Sequence, residues 1–99
     1  MNRKEFERAR SRLWARLYSL TLRDEVVGDR EDISGSLRIM RLHAAADREW
    51  AGKVEWLSGE VAKLPIFSRN SKEHADRSYE PIIAQLVEWG YTLGGAEAN

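Results

Sequence analysis

The fold is decided by residues 32–64, which read DISGSLRIMRLHAAADREWAGKVEWLSGEVAKL and contain no proline. Mostly apolar residues recur in this stretch at steps of three and four, the spacing that places side chains on one face of an α-helix. One set runs along most of the stretch and consists of Ile39, His43, Ala46, Trp50, Val54, Leu57, Val61 and Leu64. A second set lies mainly in the first half and consists of Ile33, Leu37, Met40 and Ala44.

Two apolar faces on one helix predict that this helix packs between two neighbours. We therefore predict a long central helix over residues 32–64, about 50 Å in length at 1.5 Å per residue if it is unbroken. Gly52 and Gly59 each weaken this helix by up to about 1 kcal/mol relative to alanine. A break near Asp47 is the alternative that the sequence leaves open.

The segments before and after this stretch each predict one more helix. Asn2 and Glu5 have the spacing of a capping box, and one apolar stripe follows them: Phe6, Ala9, Leu13, Leu17 and Leu20. Asn70 and Glu73 repeat the capping-box spacing after Pro65. The expected buried face of this third helix comprises Ala75, Tyr79, Ile82, Ile83, Leu86 and Leu93.

The third helix contains a proline and is followed by two glycines. Pro81 either kinks this helix or restarts it, because proline lacks the amide hydrogen that a continuing helix uses. Gly94 and Gly95 are expected to end the helix. Together these patterns predict an all-α fold, a small antiparallel bundle of three main helices in one domain over residues 1–95, with residues 96–99 as a disordered tail.

Composition narrows the class of protein. The 99 residues suffice for one core, and the absence of cysteine excludes disulfides, thiolate nucleophiles and cysteine-ligated zinc. No stretch approaches the roughly 18 apolar residues that a membrane span needs, and the first residues lack the apolar segment of a signal peptide. We expect a cytoplasmic protein without a membrane partner.

The sequence contains none of the common motifs of catalytic or cofactor sites. A glycine-rich phosphate loop, a nucleophile elbow and a zinc-protease helix are all absent. His43 and Asp47 lie one helical turn apart, but no third metal ligand lies near them in the sequence. We expect no enzymatic activity, no cofactor, no metal and no small-molecule substrate.

Trp56 is the first candidate binding residue. At 100° per residue it lies more than about 100° from the stripe that includes Trp50 and Val54, on the same side of the helix as Gly52 and Gly59. An exposed tryptophan beside small residues is typical of a hot spot for protein binding. The structural alternative is that another helix of the same chain covers this side, because tryptophans are highly buried on average.

A row of arginines is the second candidate. Residues 2–23 carry seven basic and two acidic side chains, a net charge of +5 in a chain whose formal net charge is zero. Four of the basic side chains lie in a narrow sector of the first helix: Arg8, Arg12, Arg16 and Arg23. Such a row is suited to binding nucleic-acid phosphates or an acidic protein surface. Alternatively, the arginines pair with the acids of residues 24–32.

We therefore expect a non-enzymatic helical protein that binds another macromolecule, in the first place a protein. A nucleic-acid-binding regulatory protein that uses the basic first helix is the alternative, although the neutral chain argues against it. A homodimer is a further variant, because Ala45, Gly52 and Gly59 are spaced by seven and would let two central helices pack closely. In size and composition the chain compares with small inhibitors and adaptors of phages and mobile elements, such as anti-CRISPR proteins.

Overall fold

The computed structural model describes residues 1–67 and 79–98, with side chains for 1–67 and 79–93. These residues form four α-helices: α1 (Arg3–Leu20), α2 (Asp29–Ala44), α3 (Arg48–Ala62) and α4 (Glu80–Ala98). No strand occurs within these ranges. The described chain is thus all-helical, as the sequence predicts, but it contains four helices where three main ones were expected.

The start and the buried face of α1 follow the sequence pattern. The side chain of Asn2 accepts a hydrogen bond of 3.2 Å from the amide of Glu5, which caps the helix. The buried residues of α1 are Phe6, Ala9, Leu13 and Leu17, and Leu20 packs against them at the end of the helix.

The predicted central helix is two helices, because the chain leaves helical geometry between Ala44 and Arg48. Asp47 is extended, with φ −109° and ψ 106°, and its carboxylate accepts a hydrogen bond of 3.2 Å from the amide of Trp50. Asp47 is thereby the N-cap of α3, and the cap replaces the hydrogen bonds that a continuous helix would have made here. The break near Asp47 is the correct alternative.

Because of this break, the buried apolar residues of each helix come from only one of the two apolar sets. The buried apolar residues of α2 belong to the second set and are Ile33, Met40 and Ala44. The buried residues of α3 belong to the first set and are Trp50, Val54, Leu57 and Val61. Ile39, which begins the first set, is on the exposed side of α2. Each helix therefore needs only one buried face, and the expectation of a single helix with two is wrong.

The last helix begins one residue before its proline. Pro81 is the second residue of α4, in the first turn, where the missing amide hydrogen removes no helical hydrogen bond. The predicted cap at Asn70 and Glu73, and Ala75, lie outside the described residues. The backbone of α4 continues through Gly94 and Gly95 to Ala98, beyond the predicted end. Glycine weakens a helix and commonly ends it by turning left-handed, a backbone conformation that Gly94 and Gly95 do not adopt.

The four helices share one core. Helix α1 packs against α2 and α4, α2 packs against α3, and α3 packs against α4. Fully buried side chains come from every helix, among them Leu13, Met40, Leu57 and Leu86. Helices α3 and α4 touch over a short stretch, and the candidate site lies between them.

None of the helices in the described chain has the length and apolar composition that crossing a membrane requires.

Candidate functional site

An open groove between α3 and α4 contains Trp56. The residues that α3 contributes are Glu49, Gly52, Lys53 and Trp56. The residues that α4 contributes are Gln85, Glu88, Trp89 and Thr92. The side chain of Trp56 is 47% exposed, whereas Trp89 is buried at the base of the same groove. The groove therefore presents one accessible indole among mostly polar side chains.

Trp56 is the outer end of a row of aromatic rings that begins in the core. Phe6 contacts Trp50 with ring centroids 5.4 Å apart, Trp50 contacts Trp89 at 5.6 Å, and Trp89 contacts Trp56 at 6.2 Å. All three pairs are edge-to-face, the geometry that the ring quadrupoles favour. Because Phe6 is fully buried, the row leads from the interior of the core outwards to the Trp56 indole.

Lys53 and Glu49 occupy the α3 side of the groove as a pair. The Lys53 ammonium lies 4.2 Å from the centroid of the Trp50 ring, and its Nζ atom lies 3.4 Å from Glu49 Oε1. The arrangement combines a cation–π contact with an ion pair one helical turn apart. Glu88, on the opposite wall, forms no ion pair with any residue that the structure describes.

The surface beside Trp56 is bare. Gly52 and Gly59 are both exposed, and a Cβ atom added to either would meet no described atom within 4 Å. Helix α4 contacts Trp56 through Trp89 on one side and leaves these two glycines open. Ala45 follows the last residue of α2, so the set of small residues spaced by seven does not lie on one helix. Only Gly52 and Gly59 remain of that predicted face.

The arginine row divides into two pairs with different surroundings. Arg16 Nη1 lies 2.9 Å from Asp29 Oδ1, and Arg23 Nη1 lies 2.9 Å from Asp29 Oδ2. Arg16 also pairs with Asp32. Arg16 and Arg23 therefore bind acids of the same chain, as the structural alternative predicts. Only Arg16 joins α1 to the start of α2; Arg23 was predicted on the first helix but lies beyond its end at Leu20, in the turn before α2.

Asp29 is the centre of this junction. Its side chain is buried, and it also accepts a hydrogen bond of 2.8 Å from the amide of Val26. The hydrogen bond from Arg23 is the largest cause that holds the pKa of Asp29 well below its ordinary value, with the Val26 amide and Arg16 acting in the same direction against desolvation. Gly28 makes the geometry accessible, because its φ of 99° is unfavourable for other residues.

Arg8 and Arg12 remain at the surface. Arg8 makes a single long contact of 3.4 Å with Glu5 Oε1 in the preceding turn, and Arg12 forms no ion pair within the described part of the chain. Together with Glu5, Ala9 and Ile39 they line a depression between α1 and α2. Of the predicted row of four basic side chains, two are thus engaged by a buried acid of the described chain and two are not.

Arg10 has a role that the sequence did not reveal. Its side chain is 12% exposed, its guanidinium binds both carboxylate oxygens of Glu7 at 2.5 and 2.9 Å, and Nη1 donates to the carbonyl of Leu86 at 2.9 Å. A Cβ atom on Gly90 would lie 2.8 Å from Arg10 Cζ. Gly90, a glycine inside a helix, is the one signal in the sequence that pointed to a close contact here.

A second aromatic surface was also missed. Trp14 and Tyr18 are stacked on α1 with ring centroids 5.5 Å apart, and Tyr91 on α4 is 78% exposed. Trp14 and Tyr91 line a shallow depression with Arg10 and Val87. Tyr91 differs from Trp56 because no ring contact joins it to the aromatic row, and it offers a comparison residue for experiments.

No group of three or more histidine, aspartate or glutamate side chains able to hold a metal ion occurs among the side chains that the structure describes. Comparisons of the chain with models of protein families, with curated proteins and with solved structures find no match. Function is therefore inferred from the surface of this molecule alone.

Proposed function

We propose that this chain is a non-enzymatic helical protein that binds another protein through the groove between α3 and α4, with Trp56 as the central contact. The observation that carries the proposal is the position of Trp56, 47% exposed at the outer end of an aromatic row that is rooted in the core. A small inhibitor or adaptor acts in this way, by covering a surface of its partner.

The groove has the properties that make a tryptophan contribute strongly to binding. Tryptophan is enriched among hot-spot residues because it buries a large apolar area with few rotatable bonds. Contact with Trp89 restricts the Trp56 indole before any partner arrives, so less conformational entropy is lost on binding. The open surface over Gly52 and Gly59 lets a partner backbone approach the helix closely.

Truncation of Trp56 tests the proposal. We expect the immobilised chain to capture a specific protein from its native host, and Trp56→Ala to weaken binding of that purified protein by about 2 kcal/mol or more, roughly a thirtyfold loss of affinity. Tyr91→Ala is the matched control, because it removes an aromatic side chain that is also exposed, 78% against 47% for Trp56, and that lies outside the groove. Calorimetric titration of the purified pair measures both affinities.

The comparison of the two variants decides the result. Retained binding by Trp56→Ala, or an equal loss in Tyr91→Ala, would contradict the groove as the interface. Circular dichroism of each variant verifies that the helices remain folded, so that a loss of affinity is not a loss of structure.

Nucleic-acid binding has less support from the geometry. Arg16 and Arg23 bind Asp29, which leaves Arg8 and Arg12 as the members of the row that no buried acid of the described chain engages. A nucleic-acid complex would lose affinity steeply as salt is added and would weaken in Arg8→Gln and Arg12→Gln. A homodimer across Gly52 and Gly59 is the other variant, and it would make the molecular mass in solution depend on concentration.

A further inference from the structure

We infer that the groove between α3 and α4 accepts a basic segment of its protein partner, with an arginine or lysine side chain placed against Trp56 and Glu88. This inference rests on the proposed function, because it names the chemistry of the partner at the same site. Three features of the groove support the inference: its net negative charge, an indole that no cation of the described chain contacts, and the open surface at Gly52.

The charge balance of the groove is negative. Its charged residues are Glu49, Lys53 and Glu88. Lys53 pairs with Glu49, while Glu88 forms no ion pair with a described residue. A neutral partner segment would remove water from the Glu88 carboxylate without replacing its interactions, and an acidic one would add repulsion. A cationic side chain is the occupant that compensates Glu88.

Beside the groove, the chain already shows how an indole and a carboxylate hold a cation. Lys53 lies over the ring of the buried Trp50 at 4.2 Å and at the same time contacts the Glu49 carboxylate. Trp56 and Glu88 offer another indole and another carboxylate, both of which line the groove, without a cation of their own among the described residues. Arginine and lysine bind favourably over indole faces, and a nearby carboxylate adds to that attraction.

The wall of the groove is open at Gly52. A Cβ atom added there would meet no described atom within 4 Å apart from its neighbours in the same helix. Gln85 and Thr92 add neutral hydrogen-bonding groups from α4, which suit the donors of a guanidinium. No lining residue other than Lys53 carries a positive charge.

A blocked tri-arginine peptide tests the inference. The four tryptophans give four indole N–H signals in an NMR spectrum, and the signal that Trp56→Phe lacks identifies Trp56. We expect tri-arginine to shift the Trp56 signal saturably and a blocked tri-glutamate peptide to leave it unchanged. Reversing the groove charge with Glu88→Lys should weaken tri-arginine binding by about tenfold or more.

Glu31→Lys is the matched control for net charge. Glu31 is exposed on α2, which does not contact α4 in the described chain, and its substitution changes the total charge by the same amount. We expect Glu31→Lys to bind tri-arginine within about twofold of the unmodified chain, because exposed charges at a distance are screened by salt. An equal loss in Glu31→Lys and Glu88→Lys would show unspecific attraction and overturn the inference.

Failure of this inference differs from failure of the proposed function. Tri-glutamate binding at the Trp56 signal, or no response to tri-arginine, would overturn the basic partner. If a captured protein still depends on Trp56 but binds Glu88→Lys normally, the groove is an interface and the assignment of a basic segment is wrong. If both Trp56→Ala and Glu88→Lys lose binding of that protein while Glu31→Lys retains it, the result supports the assignment.

Discussion

Gly90 lets the Arg10 side chain approach α4 closely, because glycine has no Cβ atom at the point of contact. The Arg10 guanidinium lies against the backbone of α4 and is held there by Glu7 and the Leu86 carbonyl. The guanidinium end of an arginine side chain is normally flexible and would move away from a methyl group added at Gly90. Here, displacement of the Arg10 guanidinium would break the hydrogen bonds of a largely buried cation. The guanidinium therefore resists being moved by a methyl group added at Gly90.

Two glycine substitutions of opposite outcome test this contact. We expect Gly90→Ala to lower the free energy of unfolding by about 1 kcal/mol, because displacement of Arg10 outweighs the gain in helix propensity. Gly59→Ala, in open space on α3, should raise it by up to about 1 kcal/mol. Urea unfolding measures both. Equal gains in the two variants would show that Arg10 is not held in place.

At the same scale, the sequence predicts exposure better than it predicts partners. Helical periodicity alone separates Trp56 from the face of Trp50, and Trp56 is indeed exposed. The sequence left two roles open for the four arginines, a ligand or the acids of residues 24–32, and Arg16 and Arg23 do pair with Asp29. Helical angles could not show which arginines would pair, because that depends on the geometry of the turn at Gly28.

At the level of elements, ion pairs and hydrogen bonds to one buried carboxylate stabilise the junction of α1 and α2. Asp29 is buried in the first turn of α2 and receives hydrogen bonds from Arg16, Arg23 and the Val26 amide. A carboxylate near a helix N-terminus is also favoured by the helix dipole. Removal of its charge would leave two arginines with unmatched donors.

Asp29→Asn tests this junction, because the substitution preserves shape and removes charge. We expect the free energy of unfolding at neutral pH to fall by about 2 kcal/mol, since a buried charge network is broken on one side. Asp24→Asn, which removes an exposed carboxylate from the same turn, should change it by less than about 0.5 kcal/mol. Urea unfolding at pH 7 would show equal effects if Asp29 were not the centre of the network.

The lowered pKa of Asp29 also predicts the direction of a pH dependence. Below about pH 4 the unfolded chain takes up a proton at Asp29, whereas the folded chain, with its lowered pKa, does not. The contribution of Asp29 is therefore complete above this range and is lost as the pH falls through it. We expect the difference in unfolding free energy between the natural chain and Asp29→Asn to shrink from pH 5 to pH 2.

The division of residues 32–64 into two helices shows what periodicity omits at the level of elements. Ala44, Ala45 and Ala46 are good helix formers, so local propensity gives no reason for an interruption. Asp47 favours an N-cap, but an aspartate also occurs inside exposed helices. Which alternative forms depends on whether each half finds its own neighbour, and that is a property of tertiary packing.

The whole molecule has one shared core, in which α1 contacts both α2 and α4. A domain of this size is stabilised by about 5–15 kcal/mol, so loss of a few kilocalories in the core affects all helices together. The described chain contains no apolar cluster that is separate from this core. Cooperative unfolding in a single transition is the expected behaviour.

Leucine substitutions inside and outside the core test this cooperativity. Leu13→Ala removes a fully buried side chain and should lower the free energy of unfolding by about 3 kcal/mol. Leu42→Ala, on the exposed side of α2, should change it by less than about 0.5 kcal/mol. Circular dichroism and tryptophan fluorescence should give coincident unfolding curves for each variant. Separate midpoints would show that the helices unfold independently.

The chain of aromatic contacts from Phe6 to Trp56 gives the protein an optical property of its own. Indoles that meet edge-to-face at these distances couple their electronic transitions, and the coupling produces circular dichroism that depends on the angle between the rings. Any ligand that reorients the outermost indole would alter this signal. The natural chain thus carries a spectroscopic reporter of groove occupancy and needs no dye or label.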